Sequence, residues 1–235
     1  LILSGCSSLP ALELNSSTIR YINLDGTISL SDLSISNTNY LEELNLTLPA
    51  LEKLYLENMN ELRAINISEG SNIRKVTVKS CGNLDLGASN LNGKQTLKHL
   101  FLENTGTSLS DSTDIDLSGY TALDTLVMRD YYKARSLNLS NCTSLRLIDL
   151  DYSKLSTLSV DGCESLMQAD LDHNLLEVDA LNLFFEQLPM RTIDSPAEYR
   201  ITNCPGSSSS SLNKSIADSK FWSPTSNNIG SDIRD

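Results

Sequence analysis

A unit of about 21 residues recurs through most of the chain and restricts its fold more than any other feature. One complete copy consists of two trios of apolar residues, each with the spacing L-x-x-L-x-L: Leu145, Ile148 and Leu150, then Leu155, Leu158 and Val160. Apolar residues two positions apart are typical of a short strand that buries one face. Each turn of the chain therefore buries one side only, and the turns must stack to form a core.

The first position of this unit is Leu or Ile in eight successive copies, spaced 21 to 26 residues apart. These residues are Leu9, Leu30, Leu51, Ile73, Leu97, Leu123, Leu145 and Leu166. The pattern predicts a leucine-rich repeat solenoid over residues 1–176, right-handed and curved, with about eight turns. Because each half-turn is too short for a regular helix, we expect this member of the α/β superhelix class to be β-dominated.

The period stops after Leu176, and a small α+β C-terminal capping segment is expected over residues 177–222. Its first part has an apolar face at helical spacing, with Asp179 as the expected N-cap. A short strand near residues 199–202 and a second amphipathic stretch follow it. Residues 223–235 have little to bury and are predicted to be disordered.

The composition restricts the kinds of partner. The formal net charge is -12 and the sequence pI is near 4.6, whereas nucleic-acid binding depends on a high density of Lys and Arg. We therefore expect no nucleic-acid partner. No apolar run reaches the length of about 18 residues that a membrane span needs, so no membrane insertion by this chain is expected.

The first six residues, LILSGC, match the bacterial lipoprotein cleavage pattern, but the repeat accounts for them better. In frame, Cys6 falls where Cys142 and Cys163 do. The chain then begins in mid-repeat, and we expect further residues upstream because an open solenoid end would expose its core. The cysteines follow the repeat, and we interpret them as small buried core residues, with a disulfide between Cys142 and Cys163 as an open alternative.

The array over residues 1–176 resembles that of secreted and cell-surface leucine-rich repeat proteins of bacteria, similar to the internalin-like group. The segments ALNLFFEQLP, ITNCPG and SIADSKFW resemble the C-terminal cap of surface leucine-rich repeat proteins of gut anaerobes. The resemblance implies a secreted or cell-surface, non-catalytic binding module. The phrase LSGCSSL also resembles repeats of plant intracellular immune receptors, which keeps a sensor domain open as a second interpretation.

The array departs from the internalin-like pattern at the position that usually carries Asn. Its occupants are Ser17, Thr38, Met59, Cys81, Thr105, Tyr131, Ser153 and Asn174. Met59 and Tyr131 offer no side-chain amide to the backbone groups of the turn. We therefore expect altered turn geometry near these two residues.

Equivalent positions in successive turns form columns on the surface, and two of these columns differ in character. In the second half-turn the column is short and polar: Asn23, Asn45, Asn66, Asp116, Asn138 and Ser159. In the first half-turn it is varied: Glu13, Ser34, Tyr55, Thr77, Phe101, Val127, Asp149 and Asp170.

We interpret the varied column as a concave recognition face with an exposed stripe at its centre, since exposed aromatic residues are typical of binding hot spots. The stripe is predicted to consist of Tyr55, Thr77, Phe101 and Val127. The residues predicted to bind a partner are Lys53, Tyr55, Lys75, Thr77, Lys79, His99, Phe101, Val127 and Arg129. Ordinary surface residues remain the open alternative, because single exposed apolar side chains are common.

Towards its C-terminal end the same face becomes acidic, with Asp149, Asp151, Asp170 and Asp172. These are weak candidates for Ca²⁺ ligands, and a solvated acidic face is the favoured interpretation. We expect no cofactor. Catalysis is not expected either, because the sequence pairs no nucleophile with a base, and this includes Cys204, the candidate nucleophile.

Together these features predict a non-catalytic, adhesin-like module for protein–protein recognition, secreted or on the bacterial cell surface. Its expected partner is a protein or glycan of a host surface. Two alternatives stay open: a sensor domain of an intracellular immune receptor, and a structural spacer in a larger adhesin.

Overall fold

The computed structural model describes residues 1–107 and 112–229. The chain is a right-handed parallel β-solenoid with repeats about 22 residues apart, which confirms the solenoid predicted from the period. The strands are β1 (Ala11–Asn15), β2 (Asp32–Ser36), β3 (Glu43–Leu46), β4 (Lys53–Glu57), β5 (Ala64–Ile67), β6 (Lys75–Lys79), β7 (His99–Glu103), β8 (Thr113–Asp116), β9 (Thr125–Arg129), β10 (Ala134–Asn138), β11 (Leu147–Asp149), β12 (Thr157–Ser159), β13 (Gln168–Asp170), β14 (Ala197–Arg200) and β15 (Trp222–Pro224). The helices are α1 (Val178–Gln187) and α2 (Lys214–Ser219), with a 3₁₀ turn at Pro205–Ser208.

One parallel sheet contains ten of these strands, in the order β1-β2-β4-β6-β7-β9-β11-β13-β14-β15. The second half-turns form two smaller parallel sheets, β12-β10-β8 and β3-β5. Neighbouring strands are parallel because a complete turn of chain separates each strand from the next. The outer side of the ten-stranded sheet, predicted to be concave, is called the sheet face below.

The core lies between the two sets of strands and is built by alternation along each strand. Leu33 and Ile35 of β2 are buried, and the residues beside them are partly exposed. The parallel register places Leu33 beside Leu54, and Leu54 beside Val76, so each buried side chain packs on its counterpart in the next coil. Burial of one such side chain contributes about 1.5 to 3 kcal/mol. The residues of the first trio in the unit described above are all 0% exposed: Leu145, Ile148 and Leu150.

Each strand of the large sheet from β2 to β14 is followed, within one to three residues, by a turn residue with positive φ. Such residues occur at Asn37, Asn58, Ser80, Asn104, Asp130, Tyr152, His173 and Asn203. Asn and Asp adopt this left-handed conformation more readily than most residues. At the N-terminal end the amides also join the coils, since Asn58 Nδ2 donates to Asn37 Oδ1 at 3.1 Å and Asn37 Nδ2 donates to Asn15 Oδ1 at 2.9 Å.

The turn at Tyr131 is supported by its side chain in a way that the sequence did not predict. The phenol is fully buried, accepts a hydrogen bond from Leu86 N at 2.6 Å and donates to Leu84 O at 3.3 Å. Gly106 lies against the ring, and a Cβ there would come within 2.7 Å of it. An aromatic ring therefore replaces the Asn side chain, and its hydroxyl satisfies backbone groups in another coil.

Replacing Tyr131 with Phe should lower the free energy of unfolding by about 1 to 3 kcal/mol, because the buried Leu86 N–H and Leu84 carbonyl would lose their partner. Urea unfolding followed by circular dichroism measures this difference. Tyr132→Phe is the matched control, since that hydroxyl bonds only the nearby Asp130 carboxylate among the contacts described. Equal effects of both substitutions would contradict the assignment.

The buried cysteines also bond to the backbone of the preceding coils. Cys142 Sγ donates to Leu117 O at 3.1 Å, and Cys163 Sγ donates to Leu139 O at 3.1 Å. Both thiols are free, so the alternative of a disulfide between them is wrong. Four of the cysteines are buried as expected, whereas Cys6 is exposed in the first coil.

Two units are longer than the others, and the Gly, Ser, Asn and Asp content of their additional residues, 87–96 and 106–114, predicts loops. The structure differs from this expectation in part. The predicted second loop, residues 106–114, includes residues 108–111, which lie outside the described part of the chain, and its last two residues already belong to β8. In the first loop, residues 87–96, Asn90 forms a parallel bridge with Asn66 of β5. This loop therefore continues the stack.

The segment after Leu176 packs on the last coil. Helix α1 buries Leu181, Phe184 and Phe185, and the ring of Phe185 lies 5.0 Å from that of Tyr199 in β14. The expected N-cap is wrong: Glu177 occupies that position and Asp179 lies in the first turn. The carboxylate of Asp179 in the first turn interacts favourably with the helix dipole. An acidic residue therefore indicates that a helix starts nearby, but it does not identify the N-cap itself.

Strands β14 and β15 extend the ten-stranded sheet beyond the repeats. Between them, Lys220 Nζ donates to the carbonyls of Phe185 and Leu188 at the end of α1, at 3.1 and 2.8 Å. The predicted disorder of residues 223–235 is wrong for residues 223–229, since β15 includes Pro224 and Ile229 is 4% exposed. In the described part of the chain, no helix combines the length and hydrophobicity needed to cross a membrane.

Candidate functional site

The sheet face carries three rows of side chains, because every second residue of each strand points outwards. The register of the sheet aligns the central row as Glu13, Ser34, Tyr55, Thr77, Phe101, Val127, Asp149, Asp170 and Arg200. One flanking row contains Asp32, Lys53, Lys75, His99, Thr125 and Leu147, and the other contains Glu57, Lys79, Glu103 and Arg129. All nine residues predicted to bind a partner therefore lie on adjacent strands of one face.

The prediction that the central row forms an exposed stripe is wrong over most of its length. Thr77 is 2% exposed, Val127 is 1% exposed and Phe101 is 9% exposed. Phe101 and Val127 form a hydrophobic cluster with Leu147 and Ile229, separate from the main core. The reason for the error is that an aliphatic residue from beyond β15 packs on this part of the sheet face, which the repeat pattern could not show.

The cations beside the central row have partners within the face. Lys53 Nζ lies 3.1 Å from Asp32 Oδ1, and Lys79 Nζ lies 3.7 Å from Glu103 Oε2. Lys75 Nζ lies 5.2 Å from the centroid of the Phe101 ring, within range of a cation–π interaction. The basic residues are therefore positioned by contacts with neighbouring strands.

His99 is partly buried beside this ring, with the two ring centroids 6.2 Å apart. Burial lowers the pKa of His99 below its ordinary value, against the opposing effect of Asp124. The imidazole is therefore neutral at physiological pH, so among Lys53, Lys75 and His99 in this row only the two lysines carry a positive charge.

The N-terminal half of the sheet face contains a depression of about 640 Å³. The residues that line it include Glu13, Ser34, Lys53, Tyr55 and Lys75. Tyr55 is partly buried in β4. Of the predicted binding residues, Lys53, Tyr55, Lys75 and Thr77 line this depression.

The acidic end of the face is an ion-pair network, and the favoured expectation of a solvated acidic face is wrong. The side chains of Asp149, Asp170 and Asp172 are 1%, 2% and 0% exposed. Arg129 Nε donates to Asp149 Oδ2 at 2.6 Å, and Arg200 Nη1 donates to Asp170 Oδ2 at 3.0 Å. Arg200 also pairs with Asp172 through its second terminal nitrogen. Arginines from β9 and β14 thus supply the counter-charges.

A metal-like grouping occurs at the edge of this network. Ligand atoms of Asp151, Asp172 and His173 all lie within 4.8 Å of one another. However, Asp172 is already paired with Arg200, and His173 Nδ1 lies 3.2 Å from Asp172 Oδ2. Because the guanidinium of Arg200 already faces Asp172 and Asp151, the geometry favours an ion-pair network over a cation site.

Burial raises the pKa of Asp149 to about 6, although the hydrogen bond from Arg129 opposes this shift. Burial, together with the charge of Asp170, raises the pKa of Asp151 to about 6. A carboxyl whose pKa is higher in the folded protein than in the unfolded chain binds extra protons on folding. Its contribution to stability is therefore greatest below about pH 4 and declines as the pH rises towards 6.

Asp151→Asn should stabilise the protein at pH 7 by roughly 1 to 2 kcal/mol and flatten the dependence of stability on pH between about 4 and 6. The physical reason is that the partly buried charge is removed while the shape is kept. Thermal unfolding at several pH values measures both effects, with the exposed residue substitution Asp161→Asn as control. A loss of stability at pH 7 would show that attraction to Arg200, whose Nη1 lies 4.0 Å from Asp151 Oδ2, outweighs burial.

Sequence reasoning missed three residues of this face: Arg200, His173 and Ile229. Arg200 follows Tyr199 by one position in a predicted strand, so an in/out alternation would have placed it on the sheet face. His173 stacks on Tyr152 with ring centroids 3.9 Å apart, which follows from their equivalent positions in adjacent turns. Ile229 stands alone in a polar stretch and gave no signal.

Comparison with known proteins adds no relative. No protein-family model matches the chain, and no curated protein matches it significantly. The class that the structure itself defines is a parallel β-solenoid with repeats about 22 residues apart.

Proposed function

We propose that this chain is a non-catalytic module for protein–protein recognition at the bacterial surface and that it binds through the sheet face. The observation that carries the proposal is the contrast between the two faces of the solenoid. One face is uniform and bonds to itself, whereas the other changes in size, charge and aromaticity from coil to coil.

The uniform face is a ladder of short polar residues. Asn66 Nδ2 donates to Asn45 Oδ1 at 2.9 Å, and Asn138 Nδ2 donates to Asp116 Oδ1 at 3.1 Å. Side chains that bond their equivalents in the next coil need no external partner. This ladder therefore has a structural role, and recognition falls to the varied face.

Within the varied face, the depression around Tyr55 is the best-suited place for a partner. It combines an aromatic side chain with the side chains of two basic residues, Lys53 and Lys75. Hot spots of protein interfaces are enriched in aromatic residues that lie in desolvated pockets. The face is formed by regular strands, which hold such side chains more rigidly than loops do.

The environment of Cys204, the candidate nucleophile, favours binding over catalysis. Burial raises the pKa of Cys204 to about 11, and its thiol donates to Leu171 O at 3.1 Å. A buried, protonated thiol is a poor nucleophile. The surface location rests on the resemblance of the repeats and of the last segment, which we propose to be a cap, to those of bacterial surface proteins.

The test places a photoreactive benzophenone amino acid at position 55 and, as the matched control, at position 45 of the uniform face. Both variants are incubated with host-cell and bacterial surface extracts and irradiated. We expect a discrete protein adduct from position 55 alone, and its loss when Lys53 and Lys75 are both changed to Ala.

The other outcomes identify the alternatives. An adduct from position 45 alone would show that the interface lies on the uniform face. Adducts of equal yield from both positions would indicate non-specific contact, and the absence of adducts at both would favour the structural spacer.

A further inference from the structure

We infer that the C-terminal half of the sheet face is a binding site for an extended peptide segment with an aliphatic side chain, and that residues 225–229 of the same chain occupy it. This inference rests on the proposed binding role of the sheet face and adds the chemistry of the partner and a means of regulation. The occupying segment competes with the partner.

The first element of the site is its apolar surface. Phe101, Val127 and Leu147 come from three neighbouring strands of the sheet and enclose the side chain of Ile229. These four residues form a cluster apart from the main core. Apolar side chains on the solvent side of a sheet are stabilised when a partner removes them from water, and here an isoleucine does so.

The second element is recognition of the main chain. Ile229 N donates to Asp170 Oδ2 at 3.3 Å, and Arg129 Nη2 donates to Ile229 O at 3.3 Å. Both polar backbone groups of one residue are thus bound by side chains of the sheet face. Backbone contacts give affinity for any extended segment, and a side-chain pocket adds specificity. This pairing is the pattern of a peptide site.

The third element is the rigidity of the two binding side chains. Asp149 fixes Arg129 through its 2.6 Å hydrogen bond, and Arg200 fixes Asp170 through its 3.0 Å hydrogen bond. Buried ion pairs contribute little net stability, since removing charges from water offsets their attraction. They do hold a donor and an acceptor in place before binding, which reduces the entropy lost when a ligand binds.

The occupying segment is attached weakly enough to be displaced. Thr225 N bonds Tyr199 O at 2.9 Å, which continues the pairing of β15. Residues 226–228 are exposed, and Ile229 is the first residue after Trp222 to be buried again. One anchoring side chain therefore holds the segment to the apolar cluster. A tethered ligand of this kind competes through a local concentration in the millimolar range.

The first experiment tests occupancy in the full chain. A photoreactive leucine replaces Ile229, and the crosslinked peptides are mapped by mass spectrometry after irradiation. We expect crosslinks to β7, β9 and β11. Crosslinks to other parts of the chain, or none within the chain, would overturn the inference.

The second experiment tests recognition by adding the segment as a separate molecule. A fluorescent peptide of residues 223–231, SPTSNNIGS, is titrated into the full-length Ile229→Ser variant and into the unaltered protein. The freed site should bind the peptide at least about tenfold more tightly than the occupied one. A peptide with Ser in place of Ile should not bind, and the exposed-site substitution Asn228→Ser should behave like the unaltered protein.

Equal binding by both proteins, or the absence of binding by a folded Ile229→Ser variant, would overturn the inference. A circular dichroism spectrum like that of the unaltered protein, together with a cooperative unfolding transition, checks that the variant is folded. This test uses the chain's own segment and the C-terminal half of the sheet face, whereas the test of the proposed function uses position 55 and surface extracts. Failure of one is therefore distinguishable from failure of the other.

Discussion

Replacing Leu126 with Asp is expected to abolish the cooperative unfolding transition of this protein. Leu126 is 0% exposed in β9, in register with Leu100 on one side and Ile148 on the other. Burying an ionised carboxylate among these side chains without a partner costs several kcal/mol, and a protein of this kind has only about 5 to 15 kcal/mol of stability. Because each coil packs on its neighbours, the loss of one central coil removes support from both halves.

Circular dichroism during heating and limited proteolysis measure this effect. Thr121→Asp is the control, since Thr121 is exposed in the preceding turn and the same charge is introduced there. An unchanged melting temperature for Leu126→Asp would show that the central coil does not support the array.

Ending the chain at Leu176 is expected to give oligomers or insoluble protein. The deletion would remove β14, whose Tyr199 is in register with Ala169 of β13, and helix α1 with Phe184 and Phe185. The buried side chains of the last coil would then face water, and an exposed strand edge favours association. Size-exclusion chromatography with light scattering measures the association.

A milder substitution tests the same interface without a deletion. A Cβ at Gly206 would come within 2.4 Å of the backbone of Glu177 and Val178, so Gly206→Ala should force this segment away from the last coil. We expect a lower melting temperature with the protein still monomeric at room temperature. A monomeric, fully stable chain ending at Leu176 would show that the last segment has a purpose other than covering the core.

The repeat sufficed to predict the core, because burial in a solenoid depends on local spacing. Leu145, Ile148 and Leu150 are buried as predicted, since a period-two pattern states which side of a strand faces inwards. The start of α1 was misplaced because Asp179 and Glu177 are both acidic and both lie near the helix start. Helix ends depend on local backbone geometry that composition alone does not fix.

The sequence predicted which residues lie on the sheet face, but it did not predict which of them are buried. The register aligned Tyr55, Thr77, Phe101 and Val127 as expected, yet three of the four are buried. Their burial depends on tertiary contacts between residues far apart in sequence, such as that of Ile229 with Val127. The same holds for the acidic end, where the partner of Asp170 is an arginine from beyond the repeats. Equivalent positions in successive repeats cannot indicate contacts with residues that lie outside the repeats.

The buried phenol of Tyr131 has a consequence for how the protein responds to mechanical force. A stack of coils that contact only their neighbours would peel from an end under tension, one coil at a time. Tyr131 bonds the backbone at Leu84 and Leu86, and Gly106 of the intervening coil lies against its ring. Lys133 Nζ adds a second bond across the same interval, to Asn83 O at 3.1 Å. These three coils should therefore extend as one block, giving a single long step in a pulling trace between the shorter steps of the outer coils.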